Sequence, residues 1–166
     1  MSDLAASALR EETEAVSGAS NILELKGRLL VVFDGECGFC NRSIRWLLRR
    51  DRRDRLCFAP SSDPAVRELL ASHGVSLQSL ESSPDTILVL RNAGTHVEEL
   101  LVRSNAVLAC LRALPQPWPF FAALARLIPR PVREAAYRFI ANHRYRIWGR
   151  YDSCPIPTVE ERRHFL

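Results

Sequence analysis

Lysine and methionine are almost missing from this chain, with Lys26 and Met1 their single representatives among 166 residues. Positive charge is therefore carried by arginine, whose planar fork suits phosphate and carboxylate groups and also serves ordinary solvated faces. No apolar stretch approaches the roughly 20 residues needed to cross a bilayer. The N-terminus carries Asp3, Glu11, Glu12 and Glu14 and has no apolar segment behind a basic start, so it does not read as a secretory signal. The expected compartment is the cytosol, with no membrane among the expected partners. There is no glycine-rich nucleotide loop, so no bound cofactor is expected. Neither a second CxxC nor an HxxxH pair is present, and a zinc site of ordinary spacing needs one of them. Internal repeats are also lacking.

What is present describes one domain of ordinary size, 47% hydrophobic and 25% charged. The net charge of +4 hides an asymmetry, because residues 1–21 hold four acidic side chains against Arg10 and leave the remainder at about +7. Residues 1–21 read as a disordered or frayed acidic tail, and 22–166 as a single domain with a helical C-terminal extension from about residue 115.

The most informative segment runs from Leu29 to Cys40. A continuous apolar strand, Leu29 to Phe33, ends at the turn Asp34-Gly35, and Cys37-Gly38-Phe39-Cys40 then opens a helix expected over Asn41 to Asp51. Sulfurs three residues apart on a first helical turn can close a small disulfide ring or share a metal. Cys37 would sit at the positive end of the helix dipole, which favours its thiolate and makes it the candidate nucleophile. Cys40 falls on the stripe Cys40, Ile44, Leu47, Leu48, which a period of 3.6 turns inward, and reads as the shielded resolving thiol. Glu36 should oppose thiolate formation, while Arg42 and Arg45 should favour it.

Further strands are expected at Leu56 to Ala59, Thr86 to Leu90 and Thr95 to Val102, the last two forming a hairpin about Asn92-Ala93-Gly94. Helices are expected over Ser61 to Ser72, from a Ser104 cap to Leu114, and from Val132 to about Arg144, the last with Ala135, Ala136, Phe139 and Ile140 as its apolar face. This order predicts an α/β fold, a small central mixed sheet flanked by helices. Between Tyr137 and Tyr151, aromatic residues alternate with Arg138, Arg144, Arg146 and Arg150. Such a run can bind single-stranded nucleic acid, but the commoner arrangement packs the aromatics inward and leaves arginines in water, so nucleic acid is not an expected partner. His143, with no partner at fixed spacing, reads as a polar helix residue, and Cys57 and Cys110 as inert core thiols.

Asp34-Gly35-Glu36-Cys37-Gly38-Phe39-Cys40-Asn41 resembles the signature of the DCC family, described as thiol-disulfide oxidoreductases with a thioredoxin-like fold. The resemblance continues through Arg103-Ser104-Asn105-Ala106, Ile128 to Tyr137, Asn142-His143-Arg144-Tyr145 and Gly149 to Cys154, covering about residues 28 to 166. It implies exchange with a disulfide-containing protein or small molecule, and a thiol reductant or reductase as electron donor. Thioredoxins place a cis-proline before their third strand, where this chain has Asp85 with Pro84 one residue early. Their buried acid also stands further ahead of the first cysteine than Asp34 does. Asp34 could serve as a base for Cys40 or cap the turn through backbone N–H groups. Cys154 could fold over the site as an extra thiol or cover, or be an ordinary loop cysteine. The reading from a different class is a non-catalytic binding module, with a metal-holding or vestigial cysteine pair and a basic aromatic C-terminal docking surface.

Overall fold

The computed structural model describes residues 25, 27–74, 87–92, 97–151, 158 and 161–166. The expected tail 1–21, Pro84, Asp85 and Cys154 lie outside them. Four strands form one sheet in the order β2-β1-β3-β4, with β1 Leu29–Phe33, β2 Leu56–Pro60, β3 Ile87–Arg91 and β4 Glu99–Val102. β1 runs parallel to β2 and antiparallel to β3, and β3 is antiparallel to β4. The fold is mixed α/β, as the order of elements predicts, and thioredoxin-like, as the family resemblance implies.

Both faces of β1 are covered, which is why its sequence is continuously apolar rather than alternating. Val31 and Phe33 point into one core with Phe58, Val89 and two helices, α1 Gly38–Leu48 and α3 Arg103–Ala113. Leu30 and Val32 point into the opposite core with Leu88, Leu90 and helix α2, Pro64–Ser72. The side chain of Asp63 caps α2 by accepting from the N–H groups of Ala65 at 2.9 Å and Val66 at 3.3 Å. At the far end of α1 the buried Asp51 carboxylate accepts from the N–H groups of Arg55 and Leu56, tying that helix to the start of β2.

Two more α-helices follow, α4 Trp118–Arg126 and α5 Arg130–Trp148. α4 packs on α3 and meets α1 through the edge of Trp118 on Trp46, at 4.6 Å between ring centroids. α5 starts beside α3, where the Ser104 hydroxyl bonds Glu134 and Arg133 reaches Asn105, and ends beside α1. Ser104 is therefore not a cap: Val102 holds that position without a side-chain bond, and the hydroxyl is used between helices.

The inward face of α5 is the main departure from expectation. Ala135, Ala136, Phe139 and Ile140, expected to pack, are exposed, whereas Glu134, Tyr137, Ala141, Arg144 and Trp148 turn toward the domain. Polar side chains win that face because the helix crosses the cysteine turn and the start of α3, where their partners are Asp34 and Ser104. The last residues return along β2: Leu166 N–H donates to Phe58 O, and Phe165 packs against the rings of Phe33 and Phe58.

Candidate active site

The turn after β1 is held by its own polar groups. Asp34 Oδ1 accepts from the Glu36 N–H at 3.0 Å, the turn-capping arrangement expected for an aspartate here. Buried Asn41 reaches back from α1 and donates Nδ2 to Gly35 O at 2.6 Å and to Cys37 O at 3.0 Å. α1 begins at Gly38, earlier than the expected Asn41, because Cys37 itself is the N-cap. Its sulfur accepts from the Cys40 N–H at 3.3 Å. This places the sulfur among the free N–H groups and partial positive charge of the helix start.

Both cysteines are free thiols, and both are buried, Cys37 with no exposed surface at all. A hydrogen bond from the Cys40 thiol, helped by the Cys40 N–H, brings Cys37 down from an ordinary 9.0 to about 7 although burial opposes the change. The same bond, with burial, pushes Cys40 far up. The lowered first thiol and raised second one follow the expected order, but shielding does not separate them, since Cys37 is no more exposed than Cys40. Cys57 is buried in the opposite core and Cys110 on α3, and burial pushes both upward, Cys110 to about 12.

α5 supplies what the sequence reading of the site missed. Tyr145 donates its hydroxyl to Asp34 Oδ2, and buried Arg144 stands 3.5 Å from the same oxygen and 3.1 Å from the Tyr145 hydroxyl. The charges acting most strongly on Cys37 are those of Asp34, which raises its pKa, and Arg144, which lowers it. Arg42 is exposed on α1 and makes no hydrogen bond or ion pair among the described residues, so the expected cationic role passes to Arg144. Glu36 is engaged in an ion pair with Arg150. The spacing of Tyr137, Ala141, Arg144 and Trp148 marks one helical face, but its mixed polarity conceals it from a search for apolar stripes.

The segment after α5 closes over the cysteine turn. Gly149, at φ +75°, turns the chain, and Arg150 forms an isolated antiparallel bridge with Cys37. Gly38 N–H donates to Gly149 O at 3.3 Å, and Tyr151 N–H donates to Glu36 O at 2.7 Å. Phe39, between the cysteines, stacks at a tilt on Trp148 with centroids 4.6 Å apart. Gly38 must lack a side chain, because a Cβ there would collide with the carbonyl oxygen of Trp148.

Among the described residues, the one group of three side chains that could share a metal ion is Asp51, Asp54 and His164. Its carboxylates already have partners, Asp51 the backbone N–H groups of Arg55 and Leu56 and Asp54 the side chains of Arg28 and His164. Among the described residues, no third potential ligand stands with Cys37 and Cys40. No described helix is long and apolar enough to cross a membrane.

Residues 31–150 match the family model described as DCC1-like thiol-disulfide oxidoreductase. The uncharacterized protein YuxK of Bacillus subtilis (strain 168) is 28% identical over 137 residues, covering 82% of this chain and 93% of that protein. The chloroplastic DCC family protein At1g52590 of Arabidopsis thaliana is 27% identical over 147 residues, covering 89% of this chain and 80% of that one. No solved structure matches. The matched span runs from the strand that leads into the cysteine turn to the arginine that bridges back onto it, and the chain belongs to the DCC1-like thiol-disulfide oxidoreductase family.

Proposed function

We propose that the chain reduces or forms disulfides through a cycle in which Cys37 is the nucleophile and Cys40 the resolving thiol. The observation that carries this reading is the Cys37 sulfur at the N-cap of α1, bonded by Cys40 and brought to about 7. At neutral pH about half of such a thiol is thiolate, which is the form that attacks.

In the reducing direction the Cys37 thiolate attacks one sulfur of a substrate disulfide. A Cys37–substrate disulfide forms, and the other substrate sulfur leaves as a thiolate that takes a proton. Cys40 then loses its proton and attacks the Cys37 sulfur, releasing the second substrate thiol and leaving a Cys37–Cys40 disulfide. Two electrons have passed to the substrate, and an external thiol or reductase restores the pair. Asp34 acts by anchoring Tyr145 and Arg144 beside the thiols, and the arginine offsets the carboxylate's opposition to the thiolate. The segment Gly149 to Tyr151 must move aside for a substrate to reach Cys37. The cycle belongs in a reducing compartment such as the cytosol, where a thiol pool supplies electrons.

The test is the midpoint potential of the pair, read by thiol alkylation and mass spectrometry across a glutathione or dithiothreitol series. A reversible two-electron couple confined to Cys37 and Cys40, with insulin reduction lost in Cys37→Ser, supports the cycle. Absence of that disulfide, or full activity in Cys37→Ser, would sink it.

A further inference from the structure

α5 is amphipathic in an unusual sense, because its apolar stripe faces away from the domain. Val132, Phe139, Ile140 and Ile147 follow helical spacing on the side opposite Tyr137, Ala141, Arg144 and Trp148, with Phe139 65% and Ile147 60% exposed. The end of α4 and the link to α5 extend the apolar surface through Phe120 and Leu127, the latter 78% exposed. A shallow apolar hollow among Phe121, Leu124, Leu127 and Ile128 lies within it. Bare apolar surface of this extent, with charge around it, marks an interaction face.

Charge selects the occupant. Residues 115–151 hold seven arginines and one carboxylate, Glu134, which is turned inward onto Ser104. Arg126, Arg130, Arg138 and Arg146 are exposed, and no salt bridge among the described residues engages them. A second copy of this chain would bring arginine against arginine. A surface that is apolar just beneath a layer of negative charge matches both features, and the headgroup region of an anionic bilayer is such a surface.

We propose that the outward face of α4 and α5 docks on anionic phospholipid membranes, lying on the surface rather than crossing it. The sequence reading set membranes aside because no spanning segment exists, but surface binding requires none. Only the exposed stripe enters the acyl boundary, while the opposite face of α5 keeps its contacts with Asp34 and α3.

The experiment is flotation of the purified full chain with phosphatidylcholine vesicles, either pure or containing about one third phosphatidylglycerol. The chain should float with the anionic vesicles, weakly or not at all with the neutral ones, and should be released by salt near 0.5 M, where the Debye length falls to about 4 Å. The exposed double variants Phe139→Ser with Ile147→Ser, and Arg138→Gln with Arg146→Gln, should each lower partitioning by about tenfold or more, with the alkylation profile of Cys37 unchanged. Failure of the wild type to bind anionic vesicles would overturn the proposal, as would variants that bind as well as wild type. A concentration-dependent dimer that Phe139→Ser abolishes, with no vesicle binding, would assign the face to a second copy instead.

Discussion

Cys37 and Arg150 are bridged as antiparallel strand residues, so the cysteine that caps α1 is covered by the backbone just past the end of α5. Neither Gly149 nor Arg150 is buried, and among the described residues the bridge consists of two backbone hydrogen bonds, with one surface ion pair beside them. Few contacts of that kind hold a segment only locally, so it is placed to open without unfolding the domain.

Arg150→Gln and Glu36→Gln each remove the ion pair while leaving the backbone contacts. Iodoacetamide should then modify Cys37 about two- to fivefold faster in the native protein, because the open state becomes more populated. The thermal unfolding midpoint should stay within about 2 °C of wild type, as exposed pairs contribute little to global stability. Unchanged alkylation would show that Cys37 is reached by another path.

Gly38→Ala tests the cover from the other side. The added methyl meets backbone at Trp148 and lies within 3.3 Å of Gly149 O, so the segment after α5 must shift. Native stability should fall by about 1–3 kcal/mol, measured by urea unfolding, and Cys37 should be alkylated faster. Wild-type values in both measurements would mean that the close approach is not maintained in solution.

Alkylation of Cys37 should follow its thiolate: slow well below pH 7, half-maximal near pH 7 and level above it, since its pKa is about 7 rather than 9.0. Cys40→Ala removes the largest cause of that lowering, so the midpoint should move up and the rate at pH 7 should drop. A midpoint that stays near 7 in Cys40→Ala would transfer the effect to the helix start. Cys57 and Cys110 should remain unmodified while the protein is folded, being buried and pushed upward.

Arg144→Gln removes the cation that favours the Cys37 thiolate, so the alkylation midpoint should again rise. Asp34 and Tyr145 also lose a buried partner, which should cost about 1–3 kcal/mol of stability by urea unfolding. If stability falls while the alkylation midpoint is unmoved, Arg144 is structural only.

Much of this protein follows from its residues alone. An apolar run covered on both faces, a turn at Asp34-Gly35 and cysteines three apart at a helix start are local patterns, and they placed β1, α1 and the pair of thiols. The succession of strands and helices and the β3-β4 hairpin were legible too, whereas the spatial order β2-β1-β3-β4 was set by pairing in the folded sheet. Helix starts were less legible: α1 begins at Gly38, capped by Cys37, rather than at Asn41, and the Ser104 hydroxyl is spent on Glu134, since a side chain's partner can lie anywhere in the fold. The face that α5 turns inward was decided by tertiary structure. Periodicity ranks helix faces by hydrophobicity, and here the less apolar face wins because Asp34, brought near by the sheet and α1, offers Arg144 and Tyr145 partners that water would otherwise have supplied. The same choice left the apolar stripe outside and set the cation beside the thiols, a placement that sequence separation concealed.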